Sequence, residues 1–349
     1  MKHFTMHFVA LLFFFQAAPV GAEEIILNFV GDIMLAGSAT PLLARTGYDH
    51  PFTGTVHELT RGDINIGNLE APISRGGNEF TAKKFRFRTL PEAAPALKRA
   101  GFSVLTLANN HMMDFGAVAL NDTISHLEHV GIASTGAGKT LAEARRPAII
   151  RAKGKSVAFL AYSLTLPAEF FAGHKRAGTA PGYRLYVEED VKRAKSAADY
   201  VVVSFHWGAE RAELPKQYQR DAAYRAIDAG ADLVIGHHPH VLQGIESYRG
   251  RPILYSLGNF AFGSRSPHAD RSMIARVRFN GDTSDVEIIP LNVLYTDVRY
   301  RPVVLEGKKG AAVITHLNRI SRQLGSVVAA EGGQYRLTSP DLKRQLATR

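Results

Sequence analysis

The chain has 349 residues, a net charge of +10 and no cysteine. The missing cysteines exclude disulfides, thiol nucleophiles and thiolate metal sites, so a bound ion must rest on His, Asp, Glu or Asn. Lys and Arg are scattered rather than packed into runs. Such a balance favours anionic envelope polymers or lipid head groups over nucleic acid as partners, and leaves a membrane surface open; the competing reading is a generally basic, solvated surface.

Lys2 opens a short positive segment, residues 8–18 are apolar, and Val20-Gly21-Ala22 offers a small-residue cleavage site. The apolar stretch is too short to span a bilayer. Residues 1–22 therefore read as a secretory signal peptide cleaved after Ala22, with an uncleaved anchor as the alternative, and the protein is expected to be exported to the periplasm or cell envelope. Beyond it, apolar runs alternate with amphipathic segments, which argues α/β. A strand at 25–30 ends at Gly31-Asp32, and a second at 64–66 ends at Gly67-Asn68. A helix over 93–100 stops at Gly101, and a strand at 102–107 runs into Ala108-Asn109-Asn110-His111. A helix over 117–130 is closed by Gly131. Residues 148–151 and 156–162 form a hairpin around Lys153-Gly154-Lys155. Residues 167–183, rich in Gly, Ala and charge, read as a flexible insertion. A β-branched strand at 200–205 ends at His206, and a helix over 214–229 is closed by Gly230. A strand at 233–235 leads into a histidine run, and another at 253–256 precedes Leu257-Gly258-Asn259-Phe260. Residues 311–324 read as an amphipathic helix, and the last residues as a loose polar tail. The expected organisation is a signal peptide over 1–22, one domain over 23–295, and a helical appendage and tail over 296–349.

Chemically capable residues collect just after the strands, the edge where open α/β sheets bind ligands. They are Asp32, Glu70, Asn110 with His111, His206, and the run His237-His238-Pro239-His240. Taken singly, each has an ordinary explanation: an aspartate after a strand caps a helix, paired asparagines form turns, and a lone histidine is hydrogen-bonded in the core. The histidine run is harder to dismiss, because three charged imidazoles within four residues repel one another. His238 and His240 are spaced to face one ion, with His237 outside the pair. Together these carboxylate, amide and imidazole donors suit Mn, Fe or Zn rather than Ca or Mg. Earlier in the chain, Lys84, Arg86 and Arg88 alternate with Phe85 and Phe87. That is a strand-like period, and it predicts a basic face for an anionic polymer; the alternative is a solvated edge strand guarded by charge.

Six ordered motifs carry a resemblance: Gly31-Asp32-Ile33-Met34, Asn68-Leu69-Glu70, Ala108-Asn109-Asn110-His111, His206-Trp207-Gly208-Ala209-Glu210, His238-Pro239-His240-Val241-Leu242-Gln243 and Tyr255-Ser256-Leu257-Gly258-Asn259-Phe260. They resemble the CapA family of poly-γ-glutamate capsule synthesis proteins, itself similar to calcineurin-like metallophosphoesterases. The resemblance implies a four-layer αββα sandwich holding one or two divalent metal ions. It assigns Asp32, Glu70 and His240 to a first metal and Glu70, Asn110, His206 and His238 to a second, with His111 as the general acid. Two positions depart from the phosphoesterase pattern. Met34 stands where those enzymes have a histidine, and a thioether is a poor ligand for such ions. Glu70 replaces a bridging aspartate; Asp63, a competitor for that role, precedes its strand and falls on the wrong sheet edge. The first site is therefore expected to bind more weakly, unless Glu210 or water fills the vacancy.

Two functions from different classes follow. One is metal-dependent hydrolysis of a small phosphoester or of an anionic envelope polymer. The other is a non-catalytic factor that binds the polymer, with a structural or vestigial metal, beside the synthesis and export machinery. His111 favours the first, since a binder needs no general acid. Arg86, Arg88, Trp207, Glu210 and Asn259 are the candidate substrate contacts; for Trp207 buried packing is the competing role.

Overall fold

The structure is a computed structural model that describes residues 24–338; the expected signal peptide and residues 339–349 lie outside it. Among the described residues no helix is long and apolar enough to cross a membrane.

Two sheets stack face to face. The first runs Val327–Glu331, Gln334–Thr338, Thr283–Asn292, Arg271–Asn280, Ile25–Ile33, Ile64–Leu69, Val104–Thr106, Ala133–Thr135, with Val303–Val304 also paired to Thr283–Asn292. The second runs Ile245–Tyr248, Arg251–Leu254, Leu233–His237, Tyr200–His206, Lys155–Ser163, Ala148–Ala152. Strand alternation decides which side chains meet. Leu27, Phe29, Ile64 and Ile66 of the first sheet pack on Phe159, Val202, Leu233 and Ile235 of the second. The intervening residues of the same strands face outward. Val30 and Ile33 lie under the helices Ala93–Arg99 and Gly116–His129, and Val201 and Val203 under Arg184–Lys195 and Gln217–Asp228. Strands buried on both faces read as continuous apolar runs rather than alternating ones. The result is the expected αββα sandwich.

Both sheets have a parallel half, Ile25–Ile33 through Ala133–Thr135 in one and Lys155–Ser163 through Arg251–Leu254 in the other. Parallel strands put their C-terminal ends on one edge, and that is where the polar residues collect.

The C-terminal part is more strand-rich than the sequence suggested. The helix is present, at Gly307–Ser321, and its Val313, Ile314, Leu317 and Ile320 enter the core between the sheets. The hairpin Arg271–Asn280/Thr283–Asn292 was not anticipated, nor was Val327–Glu331/Gln334–Thr338, which extends the first sheet across residue 296. Gly332 and Gly333 both have positive φ, 57° and 80°, the turn that a two-residue hairpin requires. Residues 167–183 are tied down as well: Gly178–Thr179 pairs with Ala137–Gly138, and Phe170 is buried.

Candidate metal centre

Close backbone packing sets the site. The register between Ile25–Ile33 and Ile64–Leu69 shifts between Phe29 and Asp32, a bulge that re-aims the end of the strand. Gly31 allows it, because a Cβ there would lie 2.0 Å from the Gly258 carbonyl oxygen. Asp32 N–H then donates to Gly258 (3.0 Å) and its carbonyl accepts from Phe260 N–H (2.8 Å), so the aspartate is fixed in register with Asn259. On the other sheet, His238 and His240 adopt φ of 95° and 58°. Non-glycine residues there cost on the order of 1–3 kcal/mol each and persist where surrounding structure enforces them, commonly at functional sites.

All six implied metal ligands converge. One ligand atom each of Glu70, His238 and His240 lie within 4.8 Å of one another. His206 Nε2 lies 2.9 Å from Asn110 Oδ1 and 3.5 Å from Glu70 Oε1. Glu70 Oε1 is also 3.8 Å from His240 Nε2. Asp32 adjoins the group through Oδ2, 3.2 Å from His240 Nδ1. Asp63 is at the other end of its strand, accepting from Ile26 N–H and paired with Lys153. Met34 is buried with Ala36 and Ala71 and packs against Phe87 and Phe262.

The electrostatics fit a cation. Glu70 is fully buried and neither of its carboxylate oxygens has a hydrogen-bond partner. Burial, reinforced by Asp32, pushes its carboxyl well above the usual range. An unpaired buried carboxylate is costly unless it neutralises or meets a positive ion. For Asp32 burial again opposes charge, but His237 and His240 outweigh it and hold the carboxyl well below its usual range. Burial drives His206 well below its ordinary value and, with His240, lowers His238 to about 3, so both rings are neutral and keep a lone pair for a metal. Burial also opposes a proton on His240, yet Glu70 and Asp32 raise it to about 9. Two buried carboxylates, three imidazoles and an amide oxygen are a donor set that fits a divalent cation.

His111, next to Asn110, is backed by a carboxylate: its Nδ1 donates to Oδ2 of the fully buried Asp114 at 2.6 Å. Burial keeps the ring below its ordinary pKa, although Asp114 acts the other way.

Three supporting residues were missed. Asn68 Nδ2 donates to Asp32 Oδ1 (2.9 Å) and lies 3.3 Å from His206 Nδ1, joining the halves of the cluster. His237, expected outside the site, is buried with Nδ1 3.2 Å from Asp32 Oδ1. Asp114 lies three residues past His111, a spacing at which a turn brings the two side chains together.

Most of the expected substrate contacts are placed elsewhere. Residues 83–88 form no strand; Arg86 pairs with Glu79 (3.3 Å) and donates to the Lys83 carbonyl, while Arg88 donates to the Gly76 carbonyl (2.7 Å) and lies over the Phe115 ring. Both arginines hold their own loop. Trp207 is fully buried, donates Nε1–H to the Tyr255 carbonyl (2.9 Å) and stacks on Phe205, so it is core. Asn259 is also buried and serves His240, receiving its Nδ1 contact at 3.0 Å and donating to its carbonyl. Glu210 is exposed and close enough to raise both Glu70 and His240.

Comparison with known proteins bears on the fold and the family. Over 86% of its length the chain superimposes on 64% of the chain of Haemophilus influenzae NAD nucleotidase, with a TM-score of 0.51 at 11% identity. That likeness concerns the fold alone. The capsule biosynthesis protein CapA of Bacillus anthracis is 32% identical over 280 residues, 78% of this chain and 68% of the relative. The PGA biosynthesis protein CapA of Bacillus subtilis is 32% identical over 298 residues, 84% and 78% respectively. The profile of the bacterial capsule synthesis protein family, PGA_cap, matches residues 26–264, and the chain belongs to that family.

Proposed function

We propose that this chain is an exported, metal-dependent hydrolase acting on an anionic capsule or envelope polymer, or on a small phosphoester precursor of one. The observation that carries the metal part is Glu70, whose two buried carboxylate oxygens have no hydrogen-bond partner and lie among the imidazoles of His206, His238 and His240. Hydrolysis is supported by the His111–Asp114 pair, since a site built only to hold an ion or a chain has no use for an oriented imidazole beside it. The polymer is supported by the family, and export by the first 22 residues.

Asp32, Glu70, Asn110, His206, His238 and His240 would hold one or two ions of Mn, Fe or Zn. Such an ion polarises an ester or amide oxygen and lowers the pKa of a bound water towards 7. The chain's own residues do the rest. Asn68, His237 and Asn259 orient Asp32, His206 and His240, and Asp114 holds the His111 proton on Nδ1 so that Nε2 is the ring face free to exchange a proton.

A screen of the metal-loaded chain lacking residues 1–22, against phosphoesters and γ-glutamyl polymers, tests this reading. Turnover that disappears in His111→Ala is expected. Metal-loaded protein that binds γ-glutamyl polymer yet turns over none of these would contradict hydrolysis and leave a polymer-binding factor. Fractionation of cells making the full chain tests export: the protein belongs in the envelope fraction at the mass of a chain without residues 1–22.

A further inference from the structure

Lys83 sits on the irregular segment between Ile64–Leu69 and Ala93–Arg99, beside the turn that carries Asn110 and His111. Its ammonium donates to the Asn110 carbonyl and to Asp114 Oδ1 (2.6 Å), lies 2.9 Å from His111 Nδ1, and is 5.4 Å from the centre of the Phe170 ring. Asp114 is completely buried; its Oδ2 takes His111 Nδ1–H and the Phe87 backbone N–H (2.8 Å), and the Phe87 ring packs 4.8 Å from the His111 ring. A carboxylate only accepts and an ammonium only donates, so the shorter, 2.6 Å contact takes the His111 proton on Nδ1. The Lys83 hydrogens go to the Asn110 carbonyl and Asp114 Oδ1, and its 2.9 Å approach to Nδ1 is not a hydrogen bond. Without Lys83, Asp114 would be a buried anion with no fixed countercharge, a far less stable arrangement than the pair. The ammonium is held by the turn that carries His111 and by Phe170, and its side chain is 17% exposed.

We propose that Lys83 is a positioning residue: it neutralises Asp114 and braces the turn from Asn110 to Asp114, and so holds His111 in one orientation and one tautomer without touching substrate. Its effect on turnover rests on the reading of His111 given above; its effect on the ring does not. A cation of this kind acts through its neighbours, and loss of comparable supporting contacts at metal sites costs about 10–100-fold.

Nitrogen NMR of histidine-labelled protein, with the His111 signals assigned from His111→Gln, reads the ring directly. The wild type is expected to show His111 as one Nδ1–H tautomer, and Lys83→Met to lose that single form. Lys83→Gln, which keeps a donor without the charge, serves if Lys83→Met does not fold, and the same loss is expected. In the metal-loaded protein, with bis(p-nitrophenyl) phosphate as probe, Lys83→Met should lower kcat about 10–100-fold with KM within about twofold and metal content unchanged. An unaltered His111 tautomer in both variants would overturn the proposal, as would a raised KM at unchanged kcat, the mark of a substrate contact. If the wild type hydrolyses nothing, the hydrolase reading fails while the NMR result still decides the role of Lys83.

Discussion

The cluster around Glu70 and the loop from Lys83 to Arg88 are both dense in charge, and they treat it in opposite ways. In the loop three of the four charges are matched within the protein, Lys83 by Asp114, Arg86 by Glu79 and Arg88 by a carbonyl and an aromatic face, while Lys84 lies over the neighbouring Phe85 ring. In the cluster the Glu70 oxygens are buried without a partner, and His206 and His238 are kept neutral. A folded chain that leaves polar atoms buried and unmatched implies a missing partner. The cluster is therefore the candidate site for an ion, and the loop is scaffolding for the residue beside it. Charge density alone, which made the loop a candidate polymer contact, does not separate the two.

The largest effect that sharpens this contrast is expected from Glu70→Gln. Removing a direct ligand should weaken divalent metal binding by more than about 100-fold, since loss of merely supporting residues already costs 10–100-fold. The metal-free variant should melt no lower than metal-free wild type, because an unpaired buried carboxylate has been replaced by a neutral amide of the same shape. Calorimetric metal titration and melting in chelator check both; a lower Tm with intact affinity would make Glu70 a structural residue.

The histidine run comes next. His238→Ala should match the Glu70 variant in lost affinity, whereas His237→Ala, which removes a contact to Asp32, should cost about 10–100-fold. Equal affinity in His237→Ala and wild type would mean that its 3.2 Å approach to Asp32 does not orient the site.

Much of this was legible. Every residue of the cluster lies at or just past the C-terminal end of a strand, and strand ends are marked locally by β-branched runs that stop at Gly, Asn or His. Parallel packing then brings those ends to one edge. What was missed depends on contacts distant in sequence. Lys83 meets the turn that carries His111 and Asp114 only after 27–31 residues of chain. The alternation from Lys84 to Arg88 mimics a strand, yet none of its backbone enters a ladder. Trp207 follows a ligand directly but points into the core. The last hairpin did carry a local signal, Gly332-Gly333 between two short apolar-alternating runs, hidden by its polar surroundings.

Acidity acts on the cluster through a buried imidazole. Glu70 and Asp32 raise the His240 pKa to about 9 against the opposing effect of burial, so below that pH a metal must displace its proton. Apparent affinity should fall by at least about tenfold for each pH unit below 9, and more steeply where the raised Glu70 carboxyl is protonated as well, as read by chelator competition; a pH-independent affinity from 6 to 9 would show that this imidazole is not displaced from its proton by the ion.

The smallest effect is expected in the loop. Arg86→Ala with Arg88→Ala should leave binding of an anionic γ-glutamyl polymer within about twofold and lower stability by about 1 kcal/mol or less per ion pair. A steep, salt-sensitive loss of polymer binding would restore the loop as the contact surface.

The proposed ion rests on one buried group of side chains, Glu70 with Asn110, His206, His238 and His240. Anomalous X-ray diffraction at the manganese or zinc edge, on crystals of the folded protein loaded with that metal, tests it most directly. A peak about 2.0–2.2 Å from a Glu70 carboxylate oxygen and from the nitrogens of at least two of these histidines is predicted. A fully loaded crystal whose peaks all lie elsewhere would contradict the account.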